Sequence, residues 1–370
     1  MDTVARFGGD EFAILLEDVE RPDYVAEVAD RILTTLATTF TVEDRELFVS
    51  ASIGIAILEG AEAMTTQADD VVRNADVAMY LAKRDGKGAY RVFEPSMHED
   101  VLDRLQLKGE LQRAIEHHQL DLNFQPIVGL GDGRVSGVEA LVRWHHPERG
   151  LIGPDQFISL AEESGLIVPL GRWVLREACS RARLLQIRRP GMANLGMSVN
   201  LSAKQIQQPD LIDDVREALA DSGLDPRCLT LEITESMLMI DTDSTIAKLN
   251  ALKDLGVKLA VDDFGTGYSS LSYLSRFPVD ILKIDRSFIN RVNEGAEESA
   301  LAAAIVKLSE ALDLHTVAEG IEQPGQMDRL MQLGCASGQG FLFAKPMHID
   351  ALLDWLETAD ERSTVTAPSR

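Results

Sequence analysis

From residue 121 onward, short runs of aliphatic and β-branched residues recur along the chain: DLNFQPIV (121–128), VSGVEALVRW (135–144), LGMSVNLS (195–202), CLTLEITES (228–236), KLAVDDFG (258–265), ILKIDRSF (281–288), HTVAEGI (315–321) and GQGFLFA (338–344). From the second run onward most intervals carry apolar residues at helical spacing, as in QPDLIDDVREALADSG and DSTIAKLNALKDLG. Strand and helix alternating over roughly 230 residues predict a (β/α)₈ barrel. One interval breaks the pattern. Only GLGDG (129–133) joins the first two runs, too little for a parallel crossover, which needs about a dozen residues. The first strand is therefore expected to run antiparallel to the second.

At 370 residues the chain has room for more than one core. The segment before the barrel supplies the start of another. VARFGGDEFAILL places a Gly-Gly turn between two strand-like runs, as a short hairpin with positive φ requires. DYVAEVADRILTTL reads as a helix, LFVSASIGIAIL (47–58) as a strand, and ADDVVRNADVAMYLAKRDGKG as a helix with an acidic start and a basic end, which suits the helix dipole. MHEDVLDRLQLKGELQRAIE (97–116) predicts an amphipathic helix with Val101, Leu105, Leu111 and Ile115 on one face. The expected organisation is a partial α+β domain over 1–96, a connecting helix over 97–116, the barrel domain over 117–358 and a disordered polar tail over 359–370.

The formal charge is −24, from 36 Lys and Arg against 60 Asp and Glu. This argues against a general grip on polymeric nucleic acid or anionic lipid, both of which reward clustered cations. The three cysteines, Cys179, Cys228 and Cys335, form no C-x-x-C pair and read as packing residues of a chain in a reducing compartment. No apolar run approaches the ~18 residues of a spanning helix, and the start resembles no signal peptide. The expectation is a cytoplasmic chain, or the cytoplasmic part of a longer protein whose membrane segment lies upstream.

In barrels of this kind active groups gather at the C-terminal ends of the strands. Those positions hold Glu139, Asn200, Glu232 with Glu235, Asp262 with Asp263, Lys283 with Asp285, and Glu319 with Glu322. Any one of these acids could simply cap a helix; polar groups on most of the strands are less well explained that way. Two carboxylates about 5 Å apart repel by roughly 3 kcal/mol at an effective dielectric near 20, so such a ring needs counter-ions. Hard oxygen donors suit Mg²⁺, Mn²⁺ or Ca²⁺ rather than zinc, and the adjacent Asp262 and Asp263 suit a bridge between two ions. Roughly five negative charges, two divalent ions, Lys283 and Arg143 would leave the mouth near +1, ready for a phosphodiester. GTGYSS (265–270) after Asp263 reads as a loop able to close over such a site, or as an ordinary turn.

EALVRW, SVNLS, LEITES, DDFGTGYSSLSYL, LKIDRSF, AEGIE and GQGFLF, in this order, resemble the EAL-domain phosphodiesterases, which linearise cyclic di-GMP to pGpG. The resemblance spans 105–347 and implies a modified TIM barrel with an antiparallel first strand. It implies two Mg²⁺ or Mn²⁺ ions per site, one held by Glu139, Asn200, Glu232 and Asp262, the second shared by Asp262 and Asp263. Lys283 and Glu319 would position or activate the attacking water, with Gln339 supporting that end. Gln125, Arg143, Asp285 and Gln339 would contact substrate, and Glu235 would anchor the loop after the fifth strand. Ca²⁺ is expected to inhibit, and pairing into a homodimer through this domain is expected. Phe341 stands where Tyr is common and Ala336 where an acid is often found. A receptor that binds cyclic di-GMP without cutting it is the alternative.

RFGGDEF, SIGIA and NADVAMYLAKRDGKG resemble a GGDEF diguanylate cyclase. A full domain of that family has about eighty residues ahead of this hairpin, among them the aspartate that shares a metal with Asp10. Lys87 replaces a common Arg, and Asp2 stands where the inhibitory-site Asp would lie. Cyclisation of GTP is not expected of this chain.

Overall fold

The computed structural model describes residues 2–365 except 18, 20, 43–44, 48, 61–64, 85–87, 118, 240–241, 266–273, 275 and 293–295. It divides into two compact units, Met1–Leu107 and Lys108–Arg370.

In the first unit β1 (Thr3–Gly8) and β2 (Glu11–Leu15) form an antiparallel hairpin. Its loop is Gly9-Asp10 rather than the Gly-Gly pair, with Gly9 at φ 56°, a conformation that costs glycine nothing. The helix Pro22–Leu36 follows, then the short antiparallel pair β3 (Phe40–Val42) and β4 (Arg45–Leu47). The long strand expected over 47–58 is instead β5 (Ile53–Ile55), parallel to β6 (Tyr90–Val92). The partner is three residues long, so the ladder ends where the partner does. The helix Ala68–Arg84 lies so close to β5 that any Cβ on Gly54 would strike the Ala75 carbonyl and the Met79 backbone. Ala78, Leu81 and Met97 form a small core with Val77, Phe93 and Val101.

The helix Ser96–Glu116 is present, but its buried stripe differs from the expected one. Leu107, Leu111 and Ala114 are buried while Leu105 is 61% exposed. Residues 107, 111 and 114 recur at i, i+4 and i+7, and Leu105 falls about 200° away from Leu107 around the axis.

The second unit is a closed eight-stranded barrel built from β7 (Leu120–Gly129), β8 (Val135–His146), β10 (Gly196–Asn200), β11 (Leu229–Thr234), β12 (Lys258–Phe264), β13 (Ile281–Ile284), β14 (His315–Ala318) and β15 (Ser337–Gly338), with β9 (Gly150–Ile152) extending from β8. Pairing between β8 and β10 closes the ring. As the five-residue link predicts, β7 runs antiparallel to β8 and also to β15; the other barrel pairs are parallel. Val138, Ala140, Met197, Val199, Leu231, Ile233, Leu282 and Ile284 alternate with the polar residues along the strands and are buried, as strands covered by helices require.

Two boundaries differ from expectation. GQGFLFA contributes only Gly338 to a strand, because the N–H groups of Phe343 and Ala344 turn back onto the Gly340 carbonyl and Leu342 N–H bonds to Ile321 O. The last helix, Ile349–Val365, carries the chain past the expected start of the disordered tail at 359; Leu352 and Leu356 are fully buried and seat it. The three cysteines are buried and unpaired, and burial pushes the Cys179 thiol up to about 12. Among the described residues no helix is long and apolar enough to cross a membrane.

Candidate active site

Alternation places Gln125 on β7, Glu139 on β8, Asn200 on β10, Glu232 on β11, Asp262 on β12 and Lys283 on β13 around one end of the barrel, joined by Glu319 just past β14 and Gln339 just past β15. Lys283 is their centre. Its side chain is 1% exposed, and its Nζ lies 2.6 Å from Glu232 Oε2, 2.6 Å from Glu319 Oε1, 3.2 Å from Asp262 Oδ1 and 3.6 Å from Glu139 Oε2. A second set of bonds fixes the acids. Asn200 Nδ2 donates to Glu139 Oε1 at 2.8 Å, and Gln339 Nε2 donates to Glu139 Oε2 at 2.7 Å and to Gln125 Oε1 at 2.9 Å. Gln125 Nε2 in turn donates to the Ala344 carbonyl at 3.0 Å, a tie that nothing in the sequence announces.

Lys283 was expected to share the counter-charge with Arg143 and metal ions, and its amine touches all four acids directly. Burial would lower its pKa, but Glu139, Glu232, Glu319 and Asp262 hold it well above the usual lysine value. Burial would raise Glu139, but Lys283, Gln339 and Asn200 outweigh that and hold the carboxyl below its usual range. Glu232 goes the other way, pushed well up by burial with Glu139 and Asp262 adding to the effect against Lys283. Burial also lifts Glu319 to about 7 and raises Asp263, where Asp262 and Asp285 contribute.

The DD pair has its own geometry. Neighbours on a strand face opposite sides, so two adjacent aspartates should not share a site. The β12–β13 register shifts between Val261 and Phe264, and Asp263 adopts φ 54°. This irregularity breaks the alternation and puts one carboxylate oxygen each from Asp262, Asp263 and Glu319 within 4.8 Å of one another. Three hard oxygens that close fit a divalent cation of the Mg²⁺ or Mn²⁺ kind. Gln339 Oε1, buried with no hydrogen-bond partner among the described residues, is a further acceptor awaiting one.

The remaining expected residues are less central. Glu235 Oε2 accepts from Gly265 N–H at 2.7 Å, tying the end of β11 to the first residue past β12; the rest of the GTGYSS loop lies outside the described residues. Arg143 is half-buried, bonds the Val142 carbonyl at 2.8 Å, and has its pKa lowered by burial against the pull of Glu139 and Asp155. Asp285 caps the helix Arg286–Asn290 by accepting from Ser287 N–H, the structural role open to any acid at a strand end. Among the described residues no hydrogen bond or ion pair joins either to the Lys283 cluster, and the backbone N–H of Glu322 donates to Gln326 Oε1.

Fold and site together define a TIM-like barrel protein with an oxygen-donor basin at the C-terminal ends of its strands. The chain matches the family described as EAL domain over residues 108–346, and that described as diguanylate cyclase, GGDEF domain, over residues 1–89. It belongs to the EAL-domain family, with a GGDEF region ahead of the barrel. It is 46% identical over 352 residues to the bifunctional diguanylate cyclase/cyclic di-GMP phosphodiesterase MucR of Pseudomonas aeruginosa, covering 95% of this chain and 50% of that protein. It is 40% identical over 352 residues to the cyclic di-GMP phosphodiesterase PdeR of Escherichia coli, covering 95% and 52%. The chain thus spans about half the length of the curated relatives it matches. Among solved structures, the PaMucR phosphodiesterase in complex with c-di-GMP is 48% identical with a TM-score of 0.64, covering 67% of this chain and 99% of that one.

Proposed function

We propose that this chain hydrolyses cyclic di-GMP to linear pGpG with the help of two Mg²⁺ or Mn²⁺ ions. The observation that carries the reading is the cluster in which Glu139, Glu232, Asp262 and Glu319 converge on the buried Lys283, beside an oxygen group sized for a hard cation. Glu139, Asn200, Glu232, Asp262 and Asp263 would hold the ions, and Glu319 is placed to join them. When bound, such ions polarise a phosphodiester and draw down the pKa of water.

The chain's own groups divide the remaining work. Glu319, with a pKa of about 7, is matched to accepting a proton from the attacking water near neutral pH. Lys283 stays protonated and, 2.6 Å from Glu319, fixes that carboxyl and offers positive charge to the phosphate. Arg143 and Gln125 are proposed to hold the substrate phosphates. Gln339, bonded to both Gln125 and Glu139, couples that grip to the acids. The relatives named as cyclic di-GMP phosphodiesterases and the c-di-GMP complex support the choice of substrate.

The test is chromatographic: conversion of cyclic di-GMP to pGpG by the parent chain in Mn²⁺, compared with Glu139→Ala. Turnover in the parent and its loss in the variant are expected. Binding of cyclic di-GMP by the parent without turnover would replace this reading with the receptor. Self-association through the barrel unit is a further proposal, checked by sedimentation of residues 1–370.

A further inference from the structure

The barrel also has an occupiable space at its other end. A cavity of about 560 Å³ opens among the N-terminal ends of the strands, away from the acids. Its upper wall lies directly beneath the acid basin. Gly137, Ser198, Thr230, Ile281 and Val317 line it, each two residues before Glu139, Asn200, Glu232, Lys283 and Glu319 respectively, so each faces the interior like its partner above. Barrels of this type fill that layer with branched side chains; here glycine and small hydroxyl residues leave it open. Gly137 cannot be enlarged without strain, because a Cβ there would stand 3.2 Å from the Gly196 carbonyl oxygen.

The lining points to a ligand. Ser198 and Thr230 are each only 6% exposed, they line the cavity, and neither hydroxyl has a hydrogen-bond partner among the described residues. Neither is among the buried polar atoms cut off from solvent, so both hydroxyls are reached from the cavity, where a polar molecule can take the place of water as their partner. Opposite them Ile127, Ile281, Leu314 and Val317 give the wall aliphatic surface. At the rim Asp280 is neutralised by Lys253 at 2.6 Å, whereas Lys258 and Asp313 make no ion pair among the described residues. The rim is thus close to neutral, on a chain of formal charge −24 that disfavours anions in general.

We propose that this cavity is a second small-molecule site, independent of the acid basin, and that it takes an uncharged purine nucleoside. The volume falls within the usual range for small-molecule pockets. The base would lie against the aliphatic wall, and the ribose hydroxyls would pair with Ser198 and Thr230. A 6-oxopurine edge offers acceptors to Lys258 and N–H donors to Asp313, which selects guanosine as the probe.

The test is calorimetric titration of the full chain with guanosine, ribose and guanosine 5′-monophosphate. Saturable guanosine binding is expected, with ribose silent and the monophosphate at least about tenfold weaker, since a dianion meets Asp313 and the chain's own charge. Ser198→Leu, which fills the cavity, should weaken guanosine at least about tenfold, while Glu139→Ala should bind it like the parent. No saturable binding, binding indifferent to Ser198→Leu, binding abolished by Glu139→Ala, or a monophosphate bound more tightly than guanosine would each overturn the proposal. Should Ser198→Leu fail to give a native circular dichroism spectrum and melt, the isosteric Thr230→Val decides: weaker guanosine binding sustains the site, and unchanged binding removes it.

Discussion

Replacing Lys283 by methionine keeps the length of the side chain and deletes the ammonium that touches Glu139, Glu232, Asp262 and Glu319. At an effective dielectric near 20, unit charges at the 2.6 Å separations attract by roughly 6 kcal/mol, and at 3.6 Å by roughly 5 kcal/mol. These gross attractions are offset by the cost of burying the charges and by repulsion among the acids, so the net loss is smaller. Removing one partner from a buried ion cluster costs about 3–5 kcal/mol, which for a unit of this size lowers the melting temperature by roughly 6–20 °C. The measurement is a thermal melt followed by circular dichroism, with metal chelated, for parent and Lys283→Met across a pH series. Without the ammonium the carboxyls have folded pKa values above their unfolded ones. Protonation then favours the folded form, and that contribution is lost as pH rises through the folded values. The deficit should therefore be greatest near about pH 8 and shrink toward about pH 5. Adding Mn²⁺ should recover more stability in the variant than in the parent, because binding to the folded form stabilises it. A variant that melts within about 2 °C of the parent throughout the series would show that Lys283 is not the counter-charge of the acids.

Glu319, raised by burial to about 7 from an ordinary 4.5, should make the metal-free chain less stable as pH rises between those values, since the folded state holds the extra proton; Glu319→Gln should flatten that part of the curve, and identical slopes would count against the assignment. Metal affinity should rise over the same interval, because ions displace protons from their ligands, as Mn²⁺ titrations at several pH values would show. Glu235→Ala strips the Gly265 N–H of its acceptor, a loss of about 1–3 kcal/mol, so turnover should fall by up to about 5- to 150-fold with the fold retained; full activity would mean the tie does not matter to the site. Ca²⁺ added to a Mn²⁺-driven assay should suppress turnover by occupying the same oxygens with looser geometry, and an unchanged rate would refute that competition.

Much of the barrel was legible because one period carried two messages. Along β10, β11 and β13 the apolar positions predict a strand, and the polar positions between them, Asn200, Glu232 and Lys283, predict which face it turns to the site. The five-residue link before β8 settled the direction of β7 by length alone. Pairing was not legible in the same way. Lys283 lies 51 residues from Glu232 and is bonded to it, and nothing local to either residue says that the amine sits between the acids. Leu105 and the GQGFLFA run failed for a related reason: local apolarity is compatible with more than one face or shape, and packing against distant residues chooses among them. The lower cavity is invisible for the opposite reason, since glycine, serine and threonine inside a strand pattern carry no signal of the volume they leave unfilled.

The aspartate pair shows how far a local rule can carry and where it breaks. Strict alternation would send Asp263 to the helix-facing side of β12, where an acid has no aqueous partner and the burial cost is high. The register slip between Val261 and Phe264 and the left-handed φ of Asp263 bring its carboxylate round to Asp262 and Glu319 instead. Backbone strain of this kind persists only where the surroundings over-determine it, and here the restraint is visible on the next residue but one, where Gly265 is held by Glu235. The second aspartate, the bulge and the Glu235 tie are therefore one device: each is unfavourable or idle alone, and together they place three carboxylates where a hard cation can meet them.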